Sequence, residues 1–187
     1  CIVQRSRTLV VIGIHREELA FGREVVRGLP IGEVDVLEIP DGLSGRRPLP
    51  DQSFRYGTLH RALYLQLLPY LGPSHRLLID LHSGFDDEGP SADLLCGDGG
   101  LRTRLHDILD EQGADAPLEQ VRIVPLGEAG VVQARTVIPS EVWHSPAFAY
   151  LGLEIYLPNS AEGRARGVIL ARSLIRIAAV CAPEHVG

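Results

Sequence analysis

Short, β-branched apolar runs alternate with segments of helical periodicity along the chain, and this alternation constrains the fold more than any other feature. Thr8–Ile14 is the first such run and predicts a buried strand. Glu17–Arg27 follows with apolar residues at helical spacing, and Gly28 and Pro30 end the predicted helix. A chain that repeats strand and helix in this way predicts an α/β fold, with helices on both faces of a largely parallel or mixed sheet.

The same alternation continues to the end of the sequence. We expect residues 40–55, which are rich in turn-forming residues, to be mostly loop, and residues 127–146 to be irregular or an edge strand. No internal repeat, linker or low-complexity tract divides the 187 residues, so we expect a single domain spanning residues 1–187. Further strands are predicted at Glu33–Ile39, Arg76–Leu81, Ala92–Cys96, Val121–Pro125 and Tyr150–Leu157, and further helices at Tyr56–Leu71, Leu101–Glu111 and Ala161–Val180.

Composition and charge exclude several classes of protein. The sequence is 45% hydrophobic and 22% charged, which is typical of a globular chain. Its formal net charge of -6 argues against a general nucleic-acid binder, because phosphate contacts need a basic face. It has no apolar run of about 18 residues, so no membrane span is expected. The scattered Cys1, Cys96 and Cys181 predict reduced thiols and a cytoplasmic protein.

Polar residues stand where apolar strands are predicted to end. His15 follows the first strand, and His82 follows the strand Arg76–Leu81. Glu154 interrupts the late apolar strand. Ligands of open α/β sheets bind beyond the carboxyl ends of the strands. If these strands are neighbours, the three side chains meet at one edge of the sheet.

The spacing of these residues predicts a metal site. His15 and Glu18 are three residues apart, and if the helix begins near Arg16 or Glu17, this spacing lets both side chains reach one point at its first turn. With His82 they supply two imidazoles and a carboxylate, the ligand set of catalytic zinc sites that keep one position open for water. Glu154 is the candidate general base, since a carboxylate is costly to bury without a purpose. Glu17 is a rival ligand, Asp80 is a candidate partner for the His82 imidazole, and strand-end histidines also serve simply as backbone hydrogen-bond partners.

Three segments resemble the succinylglutamate desuccinylase and aspartoacylase family of the zinc carboxypeptidase-like clan. They are Gly13–Glu18 (GIHREE), Asp80–Ser83 (DLHS) and Leu151–Tyr156 (LGLEIY). Tyr56–Ala62 also looks like the helix that precedes the second motif in that family, so the resemblance spans residues 8–85 and 148–158. It implies a three-layer α/β/α sandwich with a mixed, mostly parallel sheet. It also implies Zn²⁺ held by His15, Glu18 and His82, with Glu154 as general acid/base.

The sequence departs from the family pattern in the residues that bind substrate. Arg16 stands where the family usually has glycine after the first histidine, and the chain lacks the Asn-Arg pair that binds the substrate carboxylate and carbonyl oxygen. A guanidinium suits a carboxylate, and four arginines between the two metal motifs are predicted substitutes: Arg46, Arg47, Arg55 and Arg61. The identity of the substrate is therefore open.

Together these features predict a zinc-dependent hydrolase that cleaves the amide bond of a small N-acyl amino acid or short peptide. The expected partner is a small molecule rather than nucleic acid or membrane, and a homo-oligomer is compatible with the sequence. One alternative is a non-catalytic metal-binding or regulatory module with a carboxypeptidase-like fold, and another is an unrelated α/β enzyme with structural histidines. His144 is a minor candidate for a proton donor. The remaining histidines are predicted to be surface residues: His60, His75, His106 and His185.

Overall fold

The fold is known from a computed structural model that describes residues 6–112, 120–127 and 136–183. The predicted alternation of strands and helices is confirmed. The strands are β1 (Thr8–Ile12), β2 (Asp35–Glu38), β3 (Leu77–Phe85), β4 (Ser91–Cys96), β5 (Val121–Pro125) and β6 (Ala149–Leu157). The helices are α1 (Leu19–Arg27), α2 (Ser53–Leu65), α3 (Gly99–Gln112), α4 (Ser140–Trp143) and α5 (Ala161–Val180).

The six strands form one mixed, mostly parallel sheet in the order β2-β1-β3-β6-β4-β5. β4 runs antiparallel to β6, and the other neighbouring pairs are parallel. β1, β3 and β6 are therefore adjacent and point the same way. Because their carboxyl ends lie at one edge, the residues that follow or end these strands come together there.

Helices cover both faces of the sheet, which makes the three α/β/α layers. Val10 and Ile12 of β1 pack in the core under α1, α3 and α5. Leu9 and Val11 point to the opposite face, where α2 and α4 contribute buried residues. Successive side chains of a strand alternate between faces, so a strand buried on both sides needs a continuous apolar run. This is why Thr8–Ile12 contains no charged residue.

Three element boundaries differ from expectation. β3 continues past Leu81 to Phe85 because β6 runs beside it, pairing as far as Leu157. α2 ends at Leu65 and a separate 3-10 turn contains Pro69, whose missing N–H cannot continue a helix. The segment expected to be irregular contains the short helix α4. In the described parts of the chain, none of the helices has both the length and the apolar character that crossing a membrane requires.

Candidate metal centre

A sharp turn after β1 carries His15 to the edge of the sheet. Gly13 has a φ of +86°, and a Cβ at this position would lie 2.4 Å from the carbonyl oxygen of Ile39. Only glycine tolerates both the left-handed backbone and this close approach. The backbone of His15 then forms an isolated β-bridge with Leu43. Glu18 lies immediately before α1. The turn therefore presents residues 15 and 18 at the carboxyl end of the sheet.

His15, Glu18 and His82 converge on one point. Each offers a ligand atom, and these atoms all lie within 4.8 Å of one another. Glu18 Oε1 is 2.9 Å from His15 Nδ1, and Glu18 Oε2 is 2.8 Å from His82 Nδ1. Burial opposes the ionised form of Glu18, but hydrogen bonds from the two imidazoles outweigh it and hold the pKa of Glu18 below its usual value. The carboxylate is therefore ionised and shared between two rings.

A hydrogen-bond chain fixes the orientation of the His15 ring. His60 Nδ1 lies 2.8 Å from the carbonyl oxygen of Tyr56, so this nitrogen carries a proton and donates it. Burial lowers the pKa of His60, which favours the neutral ring with Nε2 as an acceptor. His60 Nε2 is 3.2 Å from His15 Nε2. His15 therefore donates from Nε2, and its Nδ1 is the nitrogen that faces Glu18.

The His82 ring is held in the same way by a buried carboxylate. Asp80 Oδ2 lies 3.0 Å from His82 Nε2 and also accepts hydrogen bonds from the hydroxyl groups of Tyr64 and Tyr150. Burial alone would lower the pKa of His82, but Asp80 and Glu18 outweigh it and raise that pKa well above its usual value. Asp80 thus holds the proton on Nε2, and Nδ1 of His82 faces Glu18.

The cluster suits a zinc ion. Because His60 and Asp80 engage Nε2 of the two rings, Nδ1 of each ring faces Glu18, less than 3 Å from a carboxylate oxygen. A zinc ion between these atoms would take the place of the hydrogen-bonded protons and bind two imidazole nitrogens and one carboxylate oxygen. Two imidazole nitrogens and one carboxylate oxygen are the protein ligands of catalytic zinc sites. Carboxylates or carbonyls that fix the second nitrogen of a ligating histidine are a usual feature of such sites.

Glu154 lies beside this cluster on β6. It pairs in register with His82 on β3 and with Asp93 on β4. Gly84 leaves room for its carboxylate, since a Cβ there would lie 3.2 Å from Glu154 Oε1. Burial is the largest cause that raises the pKa of Glu154 to about 7, and the charges of the nearby carboxylates add to it. A group with this pKa both accepts and returns a proton near neutral pH.

The neighbouring carboxylate of Asp93 does not compete for this role. It accepts two hydrogen bonds from the Arg122 guanidinium, each 2.8 Å long, and one of 3.2 Å from the Tyr156 hydroxyl. These partners neutralise its charge. Glu154 is therefore the carboxylate of this row that faces the cluster without a guanidinium partner among the described residues.

His15 and His82 border one cavity of about 360 Å³ together with Glu154, and these three side chains are its polar end. Four aliphatic side chains also line the cavity and are its apolar end: Leu95, Leu126, Val137 and Ile138. Tyr56, His60, Tyr64 and Tyr150 complete the lining around the cluster, together with Thr136 and Gly152. The arrangement suits a small substrate with its reacting carbonyl at the polar end.

The four arginines predicted to bind substrate lie elsewhere. All four are exposed, and none is among the described residues that line the cavity. Arg61 makes an ion pair of 2.7 Å with Glu141. Glu17, the rival ligand, accepts hydrogen bonds from Ser44 and Gly45 away from the cluster. A substrate-binding role for Arg46, Arg47, Arg55 or Arg61 stays a prediction without support from the cavity lining.

The prediction that His60 and His75 are surface residues is wrong. His60 is only 2% exposed and contacts His15. Its signal in the sequence is the spacing of Tyr56, His60 and Tyr64, which places all three on one face of α2. His75 is also buried, between the Gly72 amide and the Asp35 carboxylate.

Other sequence predictions have simpler outcomes. His106 is exposed as predicted, and His144 does not line the cavity beside the cluster. Cys96 and Cys181 are free and buried. Cys1 and His185 lie outside the described residues.

Comparison with known proteins identifies the fold. No protein-family model and no curated protein matches this sequence. Among solved structures, murine aminoacylase 3 matches with a TM-score of 0.51 and 16% identity over 92% of this chain and 64% of that one. A metallo-carboxypeptidase from Pseudomonas aeruginosa matches with a TM-score of 0.54 and 14% identity, over 95% of this chain and 57% of that one. An amidase from Clostridioides difficile matches with a TM-score of 0.53 and 7% identity, over 94% of this chain and all of that one.

These likenesses show the fold alone, because the identities are low. The predicted α/β class with its mixed, mostly parallel sheet is confirmed, and it is the fold shared with aminoacylase 3 and metallo-carboxypeptidases. This chain spans less than two thirds of the length of those two proteins. The narrower resemblance to succinylglutamate desuccinylases stays an interpretation of the sequence motifs.

Proposed function

We propose that this chain is a zinc-dependent hydrolase that cleaves the amide bond of a small N-acyl amino acid or short peptide. One observation carries the proposal. His15, Glu18 and His82 share one point in space, Glu154 lies on the strand beside His82, and His15, His82 and Glu154 border the same cavity. Aminoacylase 3, the metallo-carboxypeptidases and the amidase are by name enzymes that hydrolyse amide or peptide bonds, and their shared fold supports the proposal.

The ligands follow from the orientation of the rings. His15 and His82 would bind zinc through Nδ1, because their Nε2 atoms are engaged by His60 and Asp80. Glu18 would supply the third ligand through its carboxylate. A zinc ion bound here supplies activation of a water molecule at neutral pH and polarisation of the substrate carbonyl.

Glu154 moves the proton. In its ionised form it accepts a proton from the attacking water, and it then donates that proton to the amide nitrogen as the C–N bond breaks. One water and one amide give one carboxylic acid and one amine, so the carboxylate ends each cycle in its starting state. A pKa of about 7 suits both halves of this transfer.

The experiment is the Glu154→Gln substitution in the zinc-loaded full chain. A panel of N-acyl amino acids and dipeptides identifies a substrate for the wild type, and elemental analysis gives the zinc content. Because glutamine keeps the size of the side chain but accepts no proton, we expect about one zinc per chain and a loss of turnover of roughly 10²–10⁴-fold. Glu162→Gln, at an exposed position in the first turn of α5, is the matched control and should keep wild-type turnover.

Unchanged turnover in Glu154→Gln would refute its role as the base. A second candidate function is a metal-binding module without catalysis, and it is favoured by one observation. The described residues that line the cavity include no arginine to replace the missing substrate-binding pair. A wild-type chain that binds zinc but hydrolyses no member of the panel would support this module.

A further inference from the structure

The apolar end of the cavity is built from two parts of the chain. Leu95 and Leu126 lie in or directly after strands, and Val137 and Ile138 lie in the segment before α4. Leu95, Leu126 and Ile138 belong to one hydrophobic cluster. Among the described lining residues, only histidines can carry positive charge. A carboxylate placed against Leu95, Leu126, Val137 and Ile138 would lose its hydration without gaining a hydrogen bond from these four side chains, which is costly.

A glycine keeps the path open between the two ends. Gly152 lies two residues before Glu154 on β6, so both positions face the same side of the sheet. Gly152 pairs in register with Leu95, and a Cβ on it would lie 3.2 Å from the Tyr150 hydroxyl and 3.4 Å from Leu95 Cβ. Any side chain at position 152 would narrow the cavity between Glu154 and Leu95. A group bonded to the scissile amide can therefore extend along β6 from Glu154 toward Leu95.

The volume of the cavity limits the size of this group. A cavity of roughly 150 Å³ holds one benzene molecule. The cavity of about 360 Å³ therefore has room for the amide at the polar end and for a branched aliphatic group or one aromatic ring beyond it.

We propose that the apolar end of the cavity binds an uncharged apolar group adjacent to the scissile amide and discriminates against a carboxylate in that position. The group is either the acyl substituent or the side chain of the amino acid. This inference rests on the proposed function, and it names the substrate class of the same site.

The test compares pairs of substrates that differ only by an isopropyl group in place of a carboxylate. In the first arm the amino acid is fixed, and the acyl group is 4-methylpentanoyl or succinyl. In the second arm the acyl group is acetyl, and the amino acid is leucine or aspartate. We expect kcat/KM to be at least tenfold higher for the isopropyl member in one arm or both. The arm that shows the preference identifies the source of the group.

A substitution in the wall provides the second part of the test. Val137 is 41% exposed, so an arginine at this position can be accommodated while its guanidinium reaches the cavity. We expect Val137→Arg to reduce the preference for isopropyl at least tenfold by binding the carboxylate. Val180→Arg places the same residue on an exposed site at the end of α5 and should keep the wild-type ratio.

Binding of hydroxamic acids separates this inference from the proposed function, because it requires no turnover. Calorimetry on the zinc-loaded protein should give at least tenfold tighter binding of 4-methylpentanohydroxamic acid than of succinic monohydroxamic acid. If the protein shows this binding preference but hydrolyses no substrate, the proposed function is rejected and the inference that the site binds an apolar group is kept. Equal or reversed preference in both arms of the hydrolysis test would overturn the inference, and equal or reversed hydroxamate binding would overturn it for the acyl group.

Discussion

Replacement of His60 by alanine is expected to weaken zinc binding although His60 is not a ligand. In the wild type its Nε2 accepts a hydrogen bond from His15 Nε2–H, which holds the ring with Nδ1 toward Glu18. Without His60 the partly buried Nε2–H of His15 loses its acceptor. The ring is then more stable with its proton on Nδ1 or in a rotated position, and either change opposes binding of a metal through Nδ1.

The size of the effect follows from this lost hydrogen bond. A buried donor left without a partner costs about 1–3 kcal/mol, and each 1.4 kcal/mol corresponds to about a tenfold change in a dissociation constant. We therefore expect the Kd for zinc to rise roughly 10–100-fold, in the range observed when partners of ligating histidines are removed. His60→Gln should recover part of the affinity, because its side-chain oxygen can accept a hydrogen bond near the position of Nε2.

The assay is competition for zinc against a chromophoric chelator. His106→Ala is the matched control, since His106 is exposed on α3, and its Kd should equal that of the wild type. Because His60 is 2% exposed, its removal also creates a void, and thermal unfolding of the metal-free variants measures that separate loss of stability. A folded His60→Ala variant with wild-type affinity for zinc would refute the proposed orientation of His15.

Three further predictions concern other parts of the structure. Asp80→Asn should raise the Kd for zinc about tenfold, because the carboxylate no longer holds His82 Nε2–H; unchanged affinity in the same competition assay would contradict this. Gly13→Ala should lower the free energy of unfolding, measured in urea titrations, by several kcal/mol more than Gly32→Ala does. Both glycines have a positive φ (+86° and +85°), but only a Cβ at position 13 would lie 2.4 Å from a backbone oxygen. Equal losses of stability in the two variants would argue against the close approach. Burial raises the pKa of Cys96 to about 12, so its thiol stays protonated at pH 8 and should resist iodoacetamide until the protein unfolds, as peptide mapping would show; rapid labelling of the native protein would refute its burial.

The sequence predicts most of the fold because its signals are local. The apolar run Thr8–Ile14 and the position of His15 directly after it need no knowledge of the rest of the chain. The convergence of His15 and His82 also depends on β1 and β3 being neighbours, and sequential parallel strands often are. This is why the cluster could be predicted while its surroundings could not.

The remaining features depend on tertiary packing. The spacing of Tyr56, His60 and Tyr64 shows that they share a face of α2, but it does not show whether that face meets the sheet or solvent. β3 extends to Phe85 because it pairs with β6, a strand that is far from it in the sequence. The four arginines are predicted from their residue type and their position between the two metal motifs, and neither indicates where a guanidinium points.

The central position of β6 has a consequence for the order in which the chain assembles. β6 inserts between β3 and β4 although it is the final described strand to leave the ribosome. β3 and β4 cannot join one sheet until residues 149–157 are synthesised, because β6 lies between them. Pairing between strands that are far apart in the sequence is slow. His15, Glu18 and His82 are all synthesised before Glu154. A growing chain therefore acquires the three proposed zinc ligands before it acquires the proposed base, and the proposed hydrolytic activity is expected to begin only when β6 joins the sheet.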